Sequence, residues 1–187
     1  MRFIIGFIVA IGLLIVAFVI IFSGHGNTNE TPANAPTKLL DYANTSKQVV
    51  LTTEGPVNAN QNHKEVRITV GNTATTIDIF QGYEQTLLST QSYANNTASY
   101  SDFLKSLDLA GYTKGDTNPK IADERGYCAT GSRYVMTIKD GDHDTQRYWS
   151  SSCGLGSFKG KTQLVRSLFQ AQVPNYDSVA GNAFYTY

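Results

Sequence analysis

The sequence predicts an α+β domain, with an antiparallel sheet, two main helices on one face and one disulfide, set behind an N-terminal transmembrane helix. Three observations carry this. Strand-like runs come in local hairpins rather than in strand–helix–strand repeats, two segments have helical spacing, and the only two cysteines flank one hairpin. With 187 residues, 41% hydrophobic and 11% aromatic, the chain has enough apolar surface for one core.

The membrane helix comes first. Residues 3–22, FIIGFIVAIGLLIVAFVIIF, carry no charged or polar side chain. At about 1.5 Å per residue they cover a hydrocarbon core of roughly 30 Å. No small-residue cleavage site of A-x-A type follows, and no cysteine stands near the end to take a lipid, so residues 1–22 are expected to be an uncleaved signal-anchor with the bilayer as partner. Arg2 precedes the helix and the next basic residue is Lys38, which keeps the N-terminus cytoplasmic and places the rest outside the cell membrane. Residues 23–37, SGHGNTNETPANAPT, are too polar and too rich in Pro and Gly to fold, and form a tether. The domain is expected over residues 38–187.

Within it, residues 47–53 read as a strand. Val66, Ile68 and Val70 alternate with polar residues, and Gly71-Asn72 then leads into TATTIDIF. A two-residue turn there sets Val70 against Thr73, Ile68 against Thr75 and Val66 against Ile77. Residues 86–93 form a further short strand. Tyr100, Phe103, Leu104 and Leu107 lie at i, i+3, i+4 and i+7, with Ser99 and Asp102 as a capping box and Gly111 as the stop.

Residues 132–139 and 145–152 read as strands around Asp140-Gly141, which brings Cys128 opposite Cys153. Two cysteines in an oxidising compartment are expected to form a disulfide. A last main helix starts at Lys161, with Leu164, Val165, Leu168, Phe169 and Val173 on one side and Pro174 beyond its end.

Fifteen basic and fifteen acidic residues cancel, so no overall field draws the chain to nucleic acid. The stretch GLGSFKGKT resembles a phosphate loop, but G-x-x-x-x-G-K-[ST] needs glycine at 155, which is Leu155. Gly154 and Gly156 miss that register by one residue on either side, so nucleotide is excluded as a partner and the glycines serve as a turn into the helix at Lys161. Asp140, Asp142 and Asp144 open like a calcium loop, yet its sixth and twelfth positions are Thr145 and Ser151 instead of Gly and Glu. A charged hairpin tip is the preferred reading, with weak calcium binding as the alternative.

No cofactor or catalytic residue is expected. His25, His63 and His143 are the only imidazoles, in the tether and in loops, and no G-x-S-x-G elbow exists. Asp123 and Glu124 are adjacent, which does not aim two acids at one substrate. Eleven Tyr and one Trp remain as surfaces able to stack on sugars or anchor a protein. Tyr148 and Trp149, beside the disulfide, are the candidate binding aromatics, and alternation turns one of them to the core.

The runs SYANNTASYSDFLKSLDLAGYTKG and RYWSSSCGLGSFKG, followed by LFQAQVPNY, resemble uncharacterised single-pass exported proteins of small-genome bacteria. The resemblance implies a bacterial, extracytoplasmic setting and no activity. The expected function is therefore non-catalytic binding of an envelope protein or glycan. A hydrolase acting on wall or peptide is the alternative, and it needs His63 or His143 to meet a nucleophile or acid in a cleft.

Overall fold

A computed structural model describes residues 38–184. The expected membrane helix and tether lie outside the described residues, and among those described no helix is long and apolar enough to cross a membrane. Six strands form one antiparallel sheet: β1 (Gln48–Glu54), β2 (Lys64–Val70), β3 (Ala74–Gln81), β4 (Thr86–Ala94), β5 (Arg133–Asp140) and β6 (His143–Ser151). Their order across the sheet is β4-β3-β2-β1-β5-β6. The helices are α1 (Thr97–Ala110), α2 (Thr162–Gln170) and α3 (Tyr176–Phe184), and short 3-10 turns occur at Leu39–Tyr42 and Pro119–Ile121.

The pleat explains the layering. Val49 and Leu51 of β1 point to the same face as Val66, Ile68 and Val70 of β2 and as Met136 and Ile138 of β5. These join one cluster with Tyr100, Phe103, Leu104 and Leu107 of α1, Val165 and Phe169 of α2, and Ala180 of α3, all nearly free of solvent. Helices thus cover one face of an antiparallel sheet, as expected for α+β. There are three helices rather than two, because α3 follows Pro174.

Both hairpins differ from the expected register. At the first, Ile68 faces Ile77 and Val70 faces Thr75, a shift of two residues. A two-residue turn of the expected kind needs positive φ at both central residues, and neither Gly71 nor Asn72 has it. Instead Gly71 N–H donates to the Ala74 carbonyl at 2.9 Å, closing a wider loop held by Asn72 Nδ2 on the Thr45 carbonyl (3.1 Å). An even shift preserves the faces, so Val66, Ile68 and Ile77 are still core residues.

At the second hairpin the turn is Gly141-Asp142, with positive φ at Gly141 alone, and the register shifts between Ile138 and Lys139. Arg133 then faces Ser151, so neither cysteine is in a strand. The disulfide forms nonetheless, with Cα atoms 5.7 Å apart. A tight turn takes up the extra residues: Cys128 has φ 52° and its carbonyl accepts from Gly131 N–H at 3.0 Å.

The cap of α1 also moves. Asn96 accepts from Ser99 N–H at 3.0 Å and starts the helix at Thr97, while Asp102 pairs with Lys105 at 2.8 Å. The stop is as expected, with Gly111 left-handed at φ 77°. The next residue, Tyr112, is fully buried, and its hydroxyl accepts from Val50 N–H (3.2 Å) and lies 2.7 and 2.9 Å from the Val50 and Thr137 carbonyls.

The stretch GLGSFKGKT is a turn, as expected. After β6 the chain folds back along that strand's edge, Phe158 N–H donating to the Trp149 carbonyl at 2.8 Å, and Lys161 caps α2. A Cβ at Gly156 would lie 2.3 Å from the Trp149 carbonyl oxygen, and one at Gly160 would lie 2.5 Å from that of Gly111. Glycine is required there by close approach of backbone, not by a phosphate.

Two outcomes follow. Tyr112→Phe keeps the ring but removes the buried hydroxyl that bonds Val50 and Thr137, and is expected to cost about 1–3 kcal/mol in urea denaturation. Replacing Cys128 and Cys153 together by Ala releases a loop with a sequence separation of 25 and is expected to cost about 3 kcal/mol, read as a lower urea midpoint.

Candidate functional site

The sheet face away from the helices carries polar residues at the alternate positions. Across it run rows set by the register: Arg133, Glu54 and Glu65 on β5, β1 and β2, then Val135, Thr52 and Arg67, then Thr137 and Val50. Two adjoining hollows of about 520 and 340 Å³ lie over this face and share Glu54, Glu65, Gln85 and Glu124. Together they make one groove, floored by Val50, Thr52, Val135 and Thr137.

Loops form its walls. On one side stand the β1–β2 connection and the β3–β4 turn, joined by Tyr83, whose N–H donates to Asn60 Oδ1 at 2.8 Å and whose hydroxyl donates to the Asn58 carbonyl at 2.9 Å. His63 is buried and stacked on the Tyr83 ring, with centroids 4.2 Å apart. On the other side lies the segment that precedes β5. Trp149 holds it through Nε1 on the Ile121 carbonyl (2.7 Å) and a ring contact with Tyr127 (5.2 Å), and the disulfide ties Cys128 to Cys153 just beyond β6. Val57 N–H donates to the Ala129 carbonyl at 2.7 Å, linking the two walls.

Charge inside the groove is paired. Glu54 and Glu65 face each other on neighbouring strands, an arrangement of like charges that is tolerated because each has an arginine. Arg133 Nε donates to Glu54 Oε2 at 2.8 Å, and Arg67 Nη2 to Glu65 Oε1 at 2.7 Å. Gln85 Nε2 adds a bond to Glu65 Oε2 at 2.9 Å. Arg147 Nη2 reaches Glu124 Oε2 at 2.5 Å, and Lys139 lies 3.9 Å from Asp144. Among the described residues no buried side-chain polar atom lacks a partner.

Glu65 is 4% exposed, and burial raises the pKa of its carboxyl, against the opposing pull of Arg67. Asp123 differs: hydrogen bonds from Arg125 lower it to about 2 at the surface, while the neighbouring Glu124 turns into the groove. The adjacent acids thus diverge.

The sequence-derived candidates fall elsewhere. Trp149 is 1% exposed and wedged under the wall, and Tyr148 packs on the helix side, its ring so close to Gly115 that a Cβ there would lie 2.2 Å away. Trp149 therefore supports the wall from beneath and Tyr148 lies on the opposite face, so neither forms the groove surface. Asp140 pairs with Lys47 at 3.3 Å and Asp144 with Lys139, and no group of three or more His, Cys, Asp or Glu among the described residues is placed to hold a metal. His143 is exposed at the hairpin tip, whereas His63 lines the groove. Glu54, Glu65, Arg67, Arg133 and Arg147 were missed. The available signal was Glu65 and Arg67 alternating with Val66 and Ile68, which reads equally well as a solvated face.

Glu65 makes the groove sensitive to pH. A carboxyl whose folded pKa lies above its unfolded one contributes stability that is complete below the unfolded value near 4.5 and is lost as pH rises through the folded value. Wild type is therefore expected to gain stability relative to Glu65→Gln as pH falls from 7 toward 4.5. Parallel urea midpoints for the two proteins across that range would remove this role from Glu65.

Compared with family models and with curated proteins, the chain matches none. The functional reading therefore rests on the groove's own geometry.

Proposed function

We propose that the chain is a membrane-tethered, non-catalytic binding domain on the extracytoplasmic side that takes a neutral, hydroxyl-rich ligand, an envelope glycan, in the groove of its sheet. The observation that carries this is the charge pairing. Glu54, Glu65 and Glu124 are each engaged by an arginine, so the groove offers fixed donors and acceptors with little net field. Such a surface suits alternating hydroxyl groups and gives no advantage to a polyanion.

Tyr83, 50% exposed at the groove wall and backed by His63, supplies a flat ring for the apolar face of a sugar. The apolar run 3–22 and the tether 23–37 would hold the groove within reach of the wall.

The second reading is a hydrolase of wall or peptide, favoured by His63 and the two carboxylates Glu54 and Glu65 lining one groove. It is the weaker one, because Arg67 and Gln85 engage the oxygens of Glu65 while His63 Nδ1 faces the Pro56 carbonyl at 3.3 Å.

The test is calorimetric titration of the full chain in lipid nanodiscs with neutral β-1,4-linked N-acetylhexosamine oligomers. Saturable binding is expected, weakened about five- to tenfold by Tyr83→Ala, the magnitude of one stacking contact. No saturable heat up to millimolar oligomer, or binding indifferent to Tyr83→Ala, would count against the glycan reading. Appearance of shortened oligomers would favour the hydrolase.

A further inference from the structure

The two edges of the sheet are treated differently. At β6 the chain covers its own edge: Phe158 N–H bonds to the Trp149 carbonyl, Gly156 bridges Ser150, and the strand carries Asp144 and Arg147. At β4 no described residue does. Among the described residues TLLSTQSYA pairs only with β3, seven of its nine residues are exposed and none is buried, and it holds no charged residue, proline or glycine. An edge strand of this length normally carries lysine, proline or inward charge against further pairing. The one blunting feature is a bulge between Ile79 and Phe80, which leaves Ser89–Ala94 in regular pairing.

We infer that the β4 edge is an interface with a second copy of this chain, the two strands pairing antiparallel about a two-fold axis through Gln91 to make one continuous twelve-stranded sheet. The occupant follows from the charge pattern. In a two-fold antiparallel pair each residue meets a residue of the same strand, so any charge near the axis would meet its own copy. A strand without charge is the kind that can pair with itself at no electrostatic cost, while it offers an acidic or basic partner nothing to select.

The register follows from the pleat. Side chains that meet must share a face, so the axis passes through a residue, and Gln91 is one of the two residues that flank the middle of the regular stretch, the other being Ser92. Ser89 then meets Tyr93, and Thr90 meets Ser92, two short hydroxyl side chains able to hydrogen-bond across. Gln91 meets Gln91. Tyr93 Oη already donates to Gln91 Oε1 at 2.7 Å, which leaves the amide N–H groups to reach over the axis.

The test uses the full chain in detergent micelles. Cys128 and Cys153 are bridged and no other cysteine exists, so Gln91→Cys introduces a single free thiol. Under mild oxidation it is expected to cross-link to twice the 20.5 kDa chain mass, at least tenfold faster than Leu109→Cys on the exposed face of α1. By sedimentation, Gln91→Lys and Gln91→Glu are each expected to self-associate about tenfold more weakly than wild type at pH 7, and a mixture of the two to recover dimer. Recovery in the mixture separates loss of pairing from loss of folding. A monomeric wild type at tens of micromolar would overturn the proposal. So would a dimer that survives Gln91→Lys and cross-links no faster at 91 than at 109, because association would then lie elsewhere.

Discussion

One hydroxyl joins the two layers of this domain. Tyr112 follows the left-handed glycine that ends α1, so its ring enters the core as the helix stops, and its Oη meets Val50 N–H and the Val50 and Thr137 carbonyls. Those groups belong to β1 and β5, a central pair of the sheet. Burial without partners would be costly for the phenol, and burial itself raises its pKa so far, against the pull of the Val50 and Thr137 bonds, that it acts only as a neutral donor and acceptor. The helix end and the strand pair are thereby fixed together, and α2 packs onto the result through Phe169, 5.8 Å from the Tyr112 ring and 5.2 Å from that of Phe103.

With one face of the sheet committed to helices, the other has to satisfy its polar side chains by itself. It does so by crossing strands. Arg133 on β5 serves Glu54 on β1, while Arg147 on β6 serves Glu124 on the wall. Partly buried pairs of this kind contribute little net stability, because desolvation offsets most of the attraction. Their effect is positional: guanidinium and carboxylate planes are held in place over Val50 and Val135.

The parts of the fold that were legible in the sequence are those with local codes. Alternation in Val66, Ile68 and Val70 marked a core-facing strand, the spacing from Tyr100 to Leu107 marked α1, and Gly111 marked its end. Register was not legible, since Gly71-Asn72 favours a two-residue turn in isolation, while Asn72 and Asn95 stabilise a wider one through contacts with the Thr45 and Gly71 carbonyls. Helix α3 was hidden behind Pro174: Asn175 turns the chain at φ 53°, and YDSVAGNAF carries a glycine and small residues where a clear apolar stripe would be read. The groove was illegible for a different reason. Residues 54, 65 and 133 meet only because β1 lies between β2 and β5, Glu124 reaches Arg147 from a loop, and strand order has no signature in local spacing.

The glycines have a consequence for ancestry. Gly115 lies against the Tyr148 ring, Gly156 against the β6 backbone and Gly160 against the end of α1, each at a distance that forbids even a methyl group. Packing therefore constrains these three positions as tightly as buried ones. In a relative too distant for its apolar residues to align, glycine at these three spacings, with a cysteine before and after β5–β6, would be the part of the chain that selection had left readable.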